Sequence, residues 1–195
     1  MIFIRLTTIL YLLVHVQSMN LFSNSIIKTV PVLNITNFIG TWYQSGTSRS
    51  TKLFGTGIDY SQVKANYKCV DNCTSNVISI LNEGFNTKGV YTNITGISYS
   101  IDNTIPSKRK VKFDTVPVIG NYWIVKLGPL INNQYQYAVI SGPLTLFFGT
   151  RFSLYVLCRN VKIYREKYEQ EVINWCSNNG FRFWWNKYYP TKQNI

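Results

Sequence analysis

The sequence predicts an all-β domain followed by one C-terminal helix, and a change of period near Arg159 carries that expectation. From Trp42 to Arg159 the chain falls into eight short β-prone runs, at 42–48, 57–69, 76–82, 88–100, 109–115, 121–127, 134–141 and 151–159. Gly, Asn, Pro and Asp separate them, and no helical period intervenes. Beyond Arg159, "YREKYEQEVINWCSNNG" brings Tyr164, Tyr168, Val172, Trp175 and Cys176 round to one side at helical spacing. Eight closely spaced antiparallel strands have two good solutions, a sandwich or a closed up-and-down β-barrel.

Each element has its own signal. Turn residues stand at "VDN" (70–72), "NEGFNTKG" (82–89), "DNTIPS" (102–107) and "LGPLINN" (127–133), where hairpins should reverse. In "KVKFDTV", Val111 and Phe113 fall on one face and Lys110, Lys112 and Asp114 on the other. The helix is expected over about 164–179, with Gly180 as its stop and its apolar face on the outside of the sheet. The barrel domain is read as 37–190, preceded by an N-terminal extension at 19–36 and followed by a disordered tail at 191–195.

The first 18 residues have the order of a secretory leader: Arg5, an apolar run from Ile9 to Val14, then Val16 and Ser18 near a cleavage point. The expected location is extracellular. Four cysteines, as two disulfides with three pairings, fit that compartment, as do sequons at Asn34, Asn72 and Asn93 as expected glycosylation sites. Cleavage would remove His15, the one histidine, so Ser-His-Asp and Cys-His chemistry and His-bound zinc are not expected. With 8 Asp plus Glu in the chain, carboxylate catalysis is poorly supplied. The expectation is therefore no catalytic residues, no metal, no cofactor and no enzyme activity.

The net charge of +12 would become +11 without Arg5. Such a surface favours anionic partners, so weak contact with an anionic membrane surface is expected. No groove-reading helix or RNP-type motif accompanies the charge, so nucleic acid is not an expected partner. The densest basic run, Lys108-Arg109-Lys110, reads as a solvated turn and strand edge.

"GTWY" (40–43), preceded by the turn-forming "ITNFI", gains meaning from its company: "SLYVLCRN" ends the last run about 115 residues later. With "KANYKCVDN", "KVKF", "NYWIVKL", "YAVISGP" and the helix ending in "NNGF", the pattern resembles the lipocalin family, within it the bacterial lipocalin and apolipoprotein D group. The resemblance covers about Asn37 to Tyr188. It implies an eight-stranded antiparallel up-and-down β-barrel with a C-terminal helix on its wall. It also implies that Gly40, Trp42 and Arg159 form a structural motif at the closed end. Arg159 over the Trp42 indole would be worth about 0.5–2 kcal/mol.

The resemblance further implies a cavity for a small hydrophobic or amphipathic ligand: a fatty acid, lysolipid, sterol or retinoid-like molecule. The positive charge slightly favours the acidic ones. Candidate lining residues are Tyr43, Tyr67, Tyr122, Trp123 and Tyr137, whose rings and hydroxyls suit amphipathic guests. Tyr122 and Trp123 face opposite ways, so one of them lines the interior. The alternative is that these aromatics fill the barrel. With Arg159 turned inward, Cys158 points out toward the helix and Cys176, so the expected pairs are Cys69–Cys73 and Cys158–Cys176. The family commonly links an early strand or loop to the C-terminal segment instead, and Cys69 or Cys73 joined to Cys176 is the rival. A second functional reading is a secreted interaction protein or mediator scavenger that uses the aromatics of "FRFWWNKYY" (181–189).

Overall fold

The computed structural model describes residues 27–54, 59–146 and 149–194; the leader with His15, and residues 57 and 58 of the second run, lie outside them. One helical turn, α1 (Ile35–Phe38), enters β1 (Gly40–Thr47), which ends in a 3₁₀ turn at Arg49–Phe54. Then come β2 (Ser61–Cys69), β3 (Ile78–Phe85), β4 (Tyr91–Ser100), β5 (Lys108–Phe113) and β6 (Gly120–Leu127). A small hairpin of β7 (Leu130–Ile131) and β8 (Gln134–Tyr135) precedes β9 (Tyr137–Leu146) and β10 (Gly149–Cys158). Helices α2 (Val161–Lys167) and α3 (Glu169–Asn178) follow, and β11 (Tyr189–Pro190) comes last.

The eight long strands pair antiparallel with their neighbours in chain order, and β1 returns to pair with β10. That last pairing turns the sheet into a closed barrel and excludes the sandwich. One end is shut by Arg159. Its guanidinium lies 3.6 Å from the centre of the Trp42 ring and donates to the carbonyls of Thr41, Phe38 and Ile39 at 2.8, 3.1 and 2.7 Å. Trp42 in turn donates through Nε1 to the Phe38 carbonyl at 2.8 Å. Gly40 makes the approach feasible: its φ is +101°, and a Cβ there would stand 3.2 Å from Arg159 Nη1. Leu33, Ile35 and Phe38 fill the same end and belong to the core.

The basic run 108–110 is the clearest departure from expectation. Arg109 is fully buried and donates to Ser98 Oγ (2.9 Å) and to the carbonyls of Ser98 (2.9 Å), Asn76 (2.5 Å) and Pro106 (3.3 Å). Burial lowers its pKa to about 10, well above neutrality, so it stays charged against these carbonyl dipoles. Lys108 leans on the Trp123 ring at 5.1 Å, and Lys110 donates to Asn121 at 2.7 Å. Alternation puts the middle residue of a strand's basic triplet indoors when its neighbours face out.

The helix also begins earlier than expected, at Val161, with Asn160 capping the Ile163 N–H at 3.0 Å. It turns irregular at Tyr168, yet Tyr168 N–H reaches Tyr164 O and Val172 N–H reaches Tyr168 O, so α2 and α3 cover the wall as one unit. Beneath them Val139, Leu154, Val156 and Cys158 face outward from the barrel and pack with Tyr164, Val172 and Cys176. The tail is ordered rather than loose over residues 191–194. Thr191 is buried, its N–H donates to Ser45 O, and Gln193 donates to the carbonyls of Gln44 and Val63 at 2.8 Å each.

Cys69 and Cys73 form a disulfide across their turn, with Cα atoms 4.8 Å apart. The expected bond between Cys158 and Cys176 is absent, which corrects that pairing: both are free, buried thiols. The face assignment stands, since both belong to the wall–helix layer, but Tyr164 packs into that layer with them. Burial raises Cys158 to about 11 and Cys176 to about 12.

Two outcomes are expected. Arg159→Met should lower stability by about 2–4 kcal/mol, read from the urea midpoint, because several buried carbonyls lose their donor. Ellman's reagent at neutral pH should find both thiols only after denaturant is added, and finding none even then would mean that Cys158 and Cys176 are bonded.

Candidate functional site

Strand alternation fixes which side chains look inward. On β10, Tyr155, Leu157 and Arg159 face the interior, while Leu154, Val156 and Cys158 face the helices. On β6, Tyr122 and Ile124 face in, while Trp123 and Val125 pack on the outer layer. The closed end therefore receives Trp42, Ile78, Ile124 and Ile140.

Toward the other end a cavity of about 260 Å³ remains. Val63, Ala65, Ile94, Val111, Leu144 and Leu157 give it mainly apolar walls, and Val116 and Val118 of the β5–β6 loop reach its rim. Its volume falls just under the ~300–1,000 Å³ usual for drug-sized ligands, so it suits a small guest. Tyr67 and Tyr122 make the deepest polar point: their hydroxyls hydrogen-bond at 2.8 Å and their rings meet edge-on at 6.4 Å. Tyr155 stands close enough to both to oppose their ionisation. Burial raises Tyr67 to about 12 and pushes Tyr122 well above the ordinary value, so both are neutral phenols at physiological pH.

One hydroxyl of the pair donates to the other, which leaves the second with a proton for a guest. Asn82 Oδ1, also on the lining, is buried without a hydrogen-bond partner, so the wall has an open acceptor as well. Among the described residues no Lys or Arg lines the cavity, and the Glu83 carboxylate is taken up by Lys64 (3.3 Å), Asn66 (2.8 Å) and Tyr91 (2.6 Å). Among the described residues the positive charge near this cavity stands at its rim, where Arg151 pairs in register with Leu144, and not on its walls. Among the described residues no His, Cys, Asp and Glu cluster could hold a metal ion.

Of the five candidate lining residues, the structure brings Tyr67 and Tyr122 together on the cavity wall and places three elsewhere. Tyr43 follows inward-facing Trp42, so it points to solvent at 37% exposure. Trp123 faces out beneath Lys108. Tyr137 faces out too, donating to Glu171 of α3 at 2.9 Å. Tyr155 and Asn82 were missed. Tyr155 was readable from its spacing to Arg159, whereas nothing in the sequence marks Asn82.

The phenol pair makes a pH test. In an unfolded chain tyrosine ionises near pH 10. A folded value raised to about 12 means the stabilisation is complete below pH 10 and is lost as pH climbs from 10 through 12. Phenolate absorbance should rise first from exposed tyrosines, with Tyr67 and Tyr122 ionising later, together with loss of the β-sheet circular dichroism. Ionisation of every tyrosine near pH 10 with the barrel intact would contradict the buried pair.

The comparisons with known proteins agree with this geometry. A family model described as a lipocalin-like domain matches residues 33–187. Insecticyanin of the tobacco hornworm Manduca sexta shares the fold at 14% identity and a TM-score of 0.63, over 86% of this chain and 85% of that one. Lobster apocrustacyanin A1 does so at 14% identity and 0.60, over 83% and 81%. An odorant-binding protein does so at 9% identity and 0.51, over 75% and 86%. No curated protein matches. With the closed barrel, its wall helix and the Trp42–Arg159 plug, the chain belongs to the lipocalin-like family.

Proposed function

We infer that this protein binds a small, neutral, amphipathic molecule in its barrel and carries it without changing it. The observation behind this reading is the 260 Å³ cavity, apolar on its sides and ending on the Tyr67–Tyr122 hydroxyls, with Asn82 Oδ1 unpaired beside it. Transfer of the guest's apolar surface from water supplies the affinity, at roughly 25 cal/mol per Å². A guest oxygen on the tyrosine hydroxyls and a donor on Asn82 would fix its orientation. That combination describes an alcohol-bearing or carbonyl-bearing hydrophobe better than a carboxylate at the cavity's floor, which would meet no cationic partner among the described lining residues. The odorant-binding neighbour, by its name, binds an odorant.

The protein is proposed to work outside the cytosol, as the leader-like N-terminus suggests. The Cys69–Cys73 disulfide supports this, and Asn34, Asn72 and Asn93 are all exposed. Within the family, the "GTWY" and "SLYVLCRN" patterns support a place near the bacterial lipocalin and apolipoprotein D group.

Displacement of a neutral naphthalene dye by a panel of fatty acids, lysolipids, sterols, retinoids and small alcohols tests the proposal. Small neutral hydrophobes should compete best, and Leu144→Trp should weaken dye binding at least about tenfold, a loss of ~1.4 kcal/mol, with the barrel intact. Absence of dye binding and of competition across the panel would overturn it.

A further inference from the structure

The C-terminal segment lays an aromatic and cationic patch beside the cavity mouth. Phe183 and Trp185 stack at 4.7 Å with planes 2° apart, and Trp184 meets Trp185 edge-on at 5.8 Å while remaining 63% exposed. Cations lie against these rings: Arg49 is 4.9 Å from Tyr189 and 6.0 Å from Trp184, Arg151 is 5.2 Å from Trp185, and Lys187 is 5.2 Å from Tyr189. Arg49, Arg151 and Lys187 are all exposed, as is Arg182 next in the chain.

The location follows from topology. Arg49 lies two residues past the end of β1, and Arg151 lies near the start of β10, so both sit at the end opposite Trp42 and Arg159. Ser50 N–H donates to the Trp185 carbonyl at 2.8 Å, which pins the aromatic segment to that end. Arg151 is paired in register with Leu144, a cavity-lining residue. The patch is therefore on the rim.

Its charge is one-sided. Residues 181–194 contain Arg182, Lys187 and Lys192 and no Asp or Glu. The carboxylates toward this end of the barrel are Asp59, Glu83 and Asp114; Glu83 is held by Lys64, and Asp114 accepts from Thr95. Exposed indole set among arginines and lysines matches the headgroup layer of an anionic bilayer, where aromatic rings settle at the polar–apolar boundary and each basic residue adds attraction.

We propose that this rim docks the protein, mouth first, on membranes rich in anionic lipid. Docking lets an apolar guest pass between bilayer and cavity with little exposure to water. It is a property of the surface, separate from the cavity's affinity.

Sedimentation with phosphatidylcholine vesicles, with and without phosphatidylserine, tests it in ligand-free solution. The protein should partition onto the phosphatidylserine vesicles, and added salt should release it. Arg49→Gln and Arg151→Gln should each lower partitioning about fivefold. Trp184→Ala should lower it too and abolish the blue shift of tryptophan emission on binding, while Lys162→Gln, an exposed charge at the start of α2, should leave it unchanged. Equal partitioning onto neutral vesicles, or no loss in the three rim variants, overturns the proposal. Retention on immobilised heparin fragments without vesicle binding overturns it in favour of an acidic glycan. Dye displacement from the cavity is measured without vesicles, so a failure here and a failure of the carrier reading are told apart.

Discussion

One contact orients the whole barrel: the Arg159 guanidinium laid 3.6 Å over the Trp42 ring and bonded to the carbonyls around it. The first and last strands meet there, and the N-terminal turn is tied down by the same side chain. With that end shut, alternation dictates the facing of every strand, and the largest interior side chains collect beside the plug. Arg109 repeats the device on the opposite wall, bonded to Asn76, Pro106 and Ser98. Both cations are satisfied by neutral oxygens, which avoids an unpaired buried charge without needing a carboxylate in an acid-poor chain. The tyrosine-floored cavity lies toward the far end.

The seam between β1 and β10 needs a second device. The registered pairing shifts between Gln44 and Gly46 and ends at Thr47 opposite Tyr155, with one further backbone bond from Ser48 N–H to Leu154 O at 3.1 Å. Beyond that, hydroxyls help to maintain the ladder: Thr47 Oγ1 donates to Leu154 O, Ser48 Oγ accepts from Leu154 N–H, and Ser50 Oγ donates to Phe152 O. The C-terminal segment then lies across β1. Tyr188 packs on Gly46, where any Cβ would collide with the ring, and its hydroxyl bridges Ser45 O and Glu169. The same segment that seals the seam carries the rim aromatics, so closure of the barrel and the character of its mouth are coupled.

Much of this was legible in the sequence because periodicity is a physical signal. The strand runs, the helix and the inward Arg159 all follow from it, as does the outward Cys158. Tyr43 and Tyr137 were misassigned because aromatic character was given more weight than alternation: once Trp42 is inside, its neighbour must be outside. Arg109 was obscured by a rule of thumb that basic triplets are solvated, although the strand period already turned it inward. The free Cys158 and Cys176, the ordered tail and the hydroxyl seam were less accessible. Each depends on contacts across more than a hundred residues or on local crowding, which no single-strand pattern encodes. Asn82 is the extreme case, an ordinary amide until the fold strands its oxygen on a cavity wall.

The proposed carrier role requires the barrel's cavity to take up one small neutral molecule. Native mass spectrometry of the protein from its natural source tests that most directly. The expected result is a single low-mass adduct that survives gentle ionisation, departs on denaturation, and shows an alcohol or carbonyl without a carboxylate when released. Bare protein mass in every preparation, or a bound fatty acid or lysolipid as the sole adduct, would contradict it.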